Sequence, residues 1–168
     1  MRQGHVSARV ARIFNTYGPR QGVLDGRLVS NFVTQALKGG NLQVYGDGSQ
    51  TRSFCYVDDL VRGLIKLMES DCTEPVNLGN PEEFTVLEFA DMVLEIVGAN
   101  KNETQSATIV MKKGLIDDPR RRRPDISKAR EKLGWRPRWS IRKGLQETVE
   151  YYRALEMVAA HPQEQIAN

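Results

Sequence analysis

Two cysteines and two histidines are few for a chain of 168 residues, and their placement narrows the chemistry. Cys55 and Cys72 have no paired spacing with each other or with histidine, so no zinc site is expected and the thiols read as idle. His5 and His161 lie near the two ends, away from any partner for acid–base work. No apolar run approaches the roughly 20 residues that span a bilayer, and the first residues have no signal-like core. Two absences bear on catalysis. No Gly-x-Gly-x-x-Gly loop follows a strand, so no dinucleotide phosphate cradle is visible. None of the five tyrosines has a lysine four residues later, which excludes a Tyr-x-x-x-Lys acid–base pair.

What remains is ordinary for a folded domain: 40% hydrophobic residues, 27% charged residues and a net charge of +3. Such a mild charge implies no general polyanion-binding surface. The positive charge is concentrated in Arg120–Arg123, flanked by Asp117, Asp118 and Asp125. A run this short, without interleaved aromatics, argues against a nucleic-acid partner.

Apolar spacing predicts strands over Val6–Tyr17, Leu42–Tyr45, Phe54–Val57, Val76–Leu78 and Thr108–Met111. Helices are expected over Leu28–Leu37, from Asp58 or Asp59 as cap through Met68, from Val86 to Gly98, over Ser127–Leu133, and from Ser140 past Tyr152. Thr85-Val86-Leu87-Glu88 has the form of a capping box. Strands alternating with helices give an α/β class. The strands are few and short, as in part of a sheet.

Candidate binding groups cluster in three places. Asn15-Thr16-Tyr17-Gly18-Pro19-Arg20 follows a strand's C-terminal end, where open α/β sheets bind ligands, although a polar turn would look the same. Arg52 stands where loop becomes strand. The arginine run reads either as a solvated basic loop or as a diphosphate clamp, since guanidinium forks suit phosphate oxygens. Tyr45 and Phe54 are candidates to flank a base or ribose, or else core residues.

Arg12-Ile13-Phe14-Asn15-Thr16-Tyr17-Gly18-Pro19-Arg20 is followed in order by Asp25-Gly26-Arg27, Ser30-Asn31-Phe32 and Gly48-Ser49-Gln50-Thr51-Arg52-Ser53-Phe54. Then come Tyr56-Val57, Asn77-Leu78-Gly79-Asn80-Pro81, Asp117-Asp118-Pro119, Arg122-Arg123-Pro124-Asp125, Lys128-Ala129 and Leu133-Gly134-Trp135. This series, from about Val10 to Tyr152, resembles the extended short-chain dehydrogenase/reductase family, and within it the UDP-glucuronate decarboxylases. The resemblance implies the C-terminal part of an NAD(P)-binding Rossmann-type fold. Residues 1–20 would end the Rossmann sheet, 21–155 would form the nucleotide-sugar-binding region, and 156–168 would be a frayed tail.

The same resemblance implies a lyase acting on a UDP-sugar with NAD, the cofactor being held mainly by a preceding half. On that expectation the chain is a piece of a longer enzyme and inactive by itself. By position, Asn15, Ser30, Asn31, Tyr45, Arg52 and Arg122 would bind substrate, with Arg122 near the reacting carboxylate as the catalytic candidate. Thr16 and Arg27 would lie near the cofactor. The resemblance further implies a homodimer in the cytoplasm, with the Golgi lumen as the alternative compartment. The competing readings are a related epimerase or dehydratase on another nucleotide sugar, and a non-enzymatic module that binds a partner subunit or polyanion through Arg120–Arg123.

Overall fold

The computed structural model describes residues 6–98, 107–114 and 117–160, with side chains through residue 155. Chain order is β1 (Ala11–Ile13), β2 (Thr16–Tyr17), α1 (Leu28–Leu37), β3 (Leu42–Tyr45), β4 (Thr51–Ser53), β5 (Cys55–Tyr56) and α2 (Val57–Glu69). It continues with β6 (Val76–Leu78), β7 (Glu83–Thr85), α3 (Val86–Gly98), β8 (Ile109–Lys112), β9 (Arg121–Arg122), α4 (Ser127–Leu133) and α5 (Ile141–Ala160).

The expected α1, β3 and β6 have the boundaries read from the sequence. The capping box forms as written: Thr85 Oγ1 accepts from the Glu88 N–H at 3.1 Å, and Glu88 Oε2 accepts from the Thr85 N–H at 2.8 Å. Other expectations need correction. The first long strand is two short ones, because Phe14 and Asn15 break the ladder between β1 and β2. Neither Asp58 nor Asp59 caps α2; Tyr56 is the N-cap and offers no side-chain bond. The arginine run, expected as loop, contains strand β9. Helix α5 extends to Ala160, into the segment expected to fray, while His5 and His161 lie outside the described residues.

Pairing is mostly parallel and in small ladders: β1 with β6, β2 with β5, and β3 with β8. Strand β4 is central to a mixed sheet, antiparallel to β7 and parallel to β9. One core cluster gathers Phe32, Phe54, Phe89, Leu145 and Val149 between α1, α3 and α5. A second joins Leu60, Leu67, Val76, Leu78, Leu133 and Trp135 around α2 and α4. Phe54 lies 4.4 Å from Phe89, ring stacked on ring, which fixes the strand that bears Arg52 against α3.

Strand β1 uses one edge for β6, and its other edge has no partner among the described residues. Val10 and Ile13 beside it are 48% and 53% exposed, and Val61, Ile65 and Met68 expose a further stripe of α2. An unpaired edge beside apolar surface favours edge-to-edge association. The isolated chain is therefore expected to self-associate in sedimentation velocity. A clean monomer with a cooperative thermal transition would contradict this.

Candidate functional site

The break between β1 and β2 creates the site. Parallel strands leave their C-terminal ends free for ligands, and there Phe14 and Asn15 turn the chain out of the ladder. Asn15 Nδ2 donates to the Ser53 carbonyl at 3.3 Å, and the Asn15 carbonyl accepts from the Cys55 N–H at 2.8 Å. The segment is thus tied to the β4–β5 connection. Thr16 Oγ1 donates to the Phe14 carbonyl at 2.8 Å, which leaves its oxygen free to accept.

A cavity of about 630 Å³ opens at this point, lined by Asn15, Thr16, Arg27, Arg52 and Arg122 together with Phe14, Gln21 and Phe54. That volume is in the range of small-molecule sites. A second cavity of about 360 Å³ adjoins it, lined by Asn31, Tyr45, Gln43, Gln50 and Asp118. Leu28 and Arg52 line both cavities, so Arg52 stands at the junction.

Register explains the positive charge. Arg52 on β4 is paired with Arg122 on β9, so adjacent parallel strands present two guanidinium groups side by side. Like charges facing each other across a sheet are unfavourable unless an anion sits between or beside them. Arg52 has a partner of its own. Its Nη2 is bonded and ion-paired to Asp118, and its Nη1 donates to the Thr51 and Pro119 carbonyls at 2.8 and 2.7 Å. The Asp118 carboxylate therefore holds Arg52 in place and satisfies part of it. The Arg122 guanidinium receives no partner among the described residues, while its backbone is held by the ladder to β4 and its carbonyl accepts from Ser53 Oγ at 3.2 Å. Arg27 stands at the rim, 3.7 Å from Asp25.

The structure gathers Asn15, Thr16, Arg27, Arg52 and Arg122 on the larger cavity, and Asn31, Tyr45 and Arg52 on the smaller. Ser30 lines neither cavity. It is fully buried, its hydroxyl bonded to the Asp25 carboxylate and donated to the Arg27 carbonyl at 2.9 Å. It holds the loop before α1. Hydrogen bonds from Ser30 and Gln21 keep the Asp25 carboxyl below its ordinary range, against the opposing effect of desolvation. Sequence reasoning missed Asp118 as the partner of Arg52, because 66 residues separate them. It also missed Gln21, whose placement follows from a turn with no regular pattern.

A cleft lined by two arginines paired in register on adjacent strands characterises this portion of an open α/β fold. The comparisons give that portion its family. A model described as GDP-mannose 4,6 dehydratase matches residues 2–148, and the chain belongs to this family. It is 55% identical over 148 residues to UDP-glucuronic acid decarboxylase 1 of Arabidopsis thaliana, covering 88% of this chain and 33% of that protein. With UDP-glucuronic acid decarboxylase 1 of Danio rerio it shares 52% identity over 157 residues, covering 93% of this chain and 36% of the relative.

Among solved structures, the UDP-glucose 4-epimerase of Thermotoga maritima with UDP-glucose superposes at TM-score 0.79 and 36% identity, over 88% of this chain and 46% of that one. The UDP-glucuronic acid 4-epimerase of Bacillus cereus, in complex with UDP-glucuronic acid and NAD, gives TM-score 0.78 and 32% identity, over 90% and 46%. The fold is accordingly that of the Rossmann-type extended short-chain dehydrogenase/reductase epimerases and dehydratases. The chain spans about a third to two-fifths of the length of the curated relatives it matches. No described helix is long and apolar enough to cross a membrane.

Proposed function

We propose that this chain is the substrate-binding C-terminal part of an NAD-dependent UDP-glucuronate decarboxylase, which converts UDP-glucuronate to UDP-xylose and carbon dioxide. The observation that carries the reading is the pair of adjoining cavities with Arg52 at their junction and, beside it, Arg122, whose guanidinium has no partner among the described residues. A nucleotide sugar has this layout: a base and ribose, a diphosphate, then a sugar. Tyr45, with 41% of its surface exposed, and Asn31 border the nucleoside end. Arg52, at the junction, meets the diphosphate, and Arg122 and Asn15 border the sugar and its carboxylate.

The fit to NAD is partial on this chain. Thr16 and Arg27 lie on the larger cavity and suit contacts at a cofactor's edge, while the sequence contains no dinucleotide phosphate loop. NAD, when bound, would supply a hydride acceptor for C4 of the sugar and give the hydride back once C5 has taken up a proton after the loss of carbon dioxide. The residues of this chain act on the substrate. Arg122 would orient the carboxylate at C5, which becomes a β-keto acid once C4 is a ketone; breaking the C5–carboxylate bond then leaves an enolate that the ketone oxygen stabilises. The charged walls favour binding through the diphosphate and leave the reacting end positioned. Full-length protein as a homodimer in the cytoplasm, or in the Golgi lumen, belongs to the same proposal.

The likeness to UDP-glucuronic acid 4-epimerase supports a second reading, 4-epimerisation with the carboxylate retained. Residue-level assignment is tested in the full-length enzyme. Arg122→Ala is expected to weaken UDP-glucuronate binding roughly 10–100-fold, the equivalent of one charge-assisted bond of about 1.5–3 kcal/mol. Arg120→Ala, a loop charge beyond the cavity lining, should change it by less than about fivefold, as exposed pairs do. Equal losses in calorimetric titrations would mean that the run acts as a diffuse basic patch.

A further inference from the structure

The arginine run is divided by strand alternation. On β9 and the residue after it, Arg122 lines the substrate cavity, whereas Arg121 and Arg123 line a separate pocket on the other side. A strand of only two arginines has little backbone pairing to hold it. The Thr51 N–H donates to the Arg120 carbonyl at 2.9 Å, and Ser53 Oγ to the Arg122 carbonyl at 3.2 Å. Arginine is also a poor choice where neighbouring strands repeat the same charge.

One side chain compensates. Glu83, on β7 across β4 from β9, accepts Arg121 Nε at 2.9 and 3.2 Å and Arg121 Nη2 at 2.7 Å. Its Oε1 also accepts Thr51 Oγ1 at 2.8 Å, and Arg123 Nη1 lies 3.8 Å from its Oε2. All three strands of the sheet are therefore joined through a single carboxylate, which is 17% exposed. The hydrogen bonds from Arg121, first among the causes, hold the Glu83 carboxyl down to about 2.

We propose that Glu83 is a positioning residue for substrate binding: by clamping Arg121, and with it the outer face of β9, it fixes the strand so that Arg122 faces the substrate cavity. This rests on the reading of Arg122 given above. Glu83 itself touches no ligand; it lines neither cavity.

The test is kinetic, in the full-length enzyme with UDP-glucuronate. Glu83→Gln is expected to raise KM about tenfold and to change kcat less than twofold. Combined with Arg122→Ala, it should add less than twofold to the loss caused by Arg122→Ala alone, since the clamp has nothing left to position. Arg121→Ala leaves the Thr51–Glu83 bond in place and removes an exposed side chain, so it folds; it should raise KM as Glu83→Gln does. An unchanged KM in Arg121→Ala, or losses that multiply in the double variant, would overturn the positioning role while leaving the site reading intact. An unchanged KM in Arg122→Ala would overturn the site reading and the positioning role together.

Discussion

Asp59→Ala is expected to destabilise the chain by about 2–5 kcal/mol, mainly the cost of leaving two backbone donors without an acceptor, at about 1–3 kcal/mol each. The Asp59 side chain is 1% exposed and serves three donors. Arg62 Nη2 donates to one oxygen at 2.6 Å, and the Arg138 and Trp139 N–H groups donate to the other at 2.8 and 2.9 Å. Alanine would leave the Arg138 and Trp139 N–H groups without their acceptor, while Arg62 would keep only its bond to the Arg136 carbonyl at 2.8 Å. The segment so anchored carries Trp135, which is 1% exposed and donates Nε1–H to the Asp59 carbonyl at 3.0 Å, and Trp139, whose ring lies 4.3 Å from Tyr56. In a domain of this size such a loss lowers the thermal midpoint on the order of 10 °C. Asp59→Asn keeps an acceptor and should cost less. Matching midpoints for Asp59→Ala and the parent in differential scanning calorimetry would contradict the account.

The second large effect runs against helix propensity. Alanine normally stabilises a helix interior over glycine by roughly 1 kcal/mol. Gly144 lies in α5, and a Cβ there would stand 2.2 Å from Tyr17 Oη and 2.8 Å from Tyr56 Cδ2. Both tyrosines are buried, and their rings meet edge to face at 5.7 Å. The Tyr17 hydroxyl donates to the Ile141 carbonyl at 3.2 Å, and burial raises its pKa well above the usual phenol value. It has no room to move away. Gly144→Ala should therefore cost about 1–3 kcal/mol net through overpacking. Because the shortest approach is to the hydroxyl, Tyr17→Phe in the same chain should recover part of the loss. Urea midpoints of the two single variants and the double variant decide it: simple addition of two losses would show that the clash is not where the geometry puts it. Tyr17 follows Asn15 and Thr16, so this packing also fixes the cavity wall.

Local patterns in the sequence carried much of this structure. The stripe Leu28, Val29, Phe32, Val33 and Ala36 marked α1, and Thr85 with Glu88 marked the start of α3. The cavity residues Asn15, Thr16, Arg52 and Arg122 were reached by motif order and not by periodicity. What stayed hidden depends on partners far along the chain. Arginine does not favour strands, so β9 forms only because β4 lies beside it and Glu83 meets Arg121, 38 residues away. Nor did the sequence show that the loop before α1 curls back and buries the Ser30 hydroxyl on Asp25. Asp59 looked like a cap; its acceptors are used by a loop 79 and 80 residues later.

The most direct test is product analysis by NMR of the full-length enzyme supplied with NAD and UDP-glucuronate, alongside the 168-residue chain alone. The account predicts UDP-xylose and carbon dioxide from the full-length enzyme and no product from the chain, which has neither a Tyr-x-x-x-Lys pair nor a dinucleotide loop. A 4-epimer with its carboxylate retained, or UDP-xylose made by the chain alone, would contradict it.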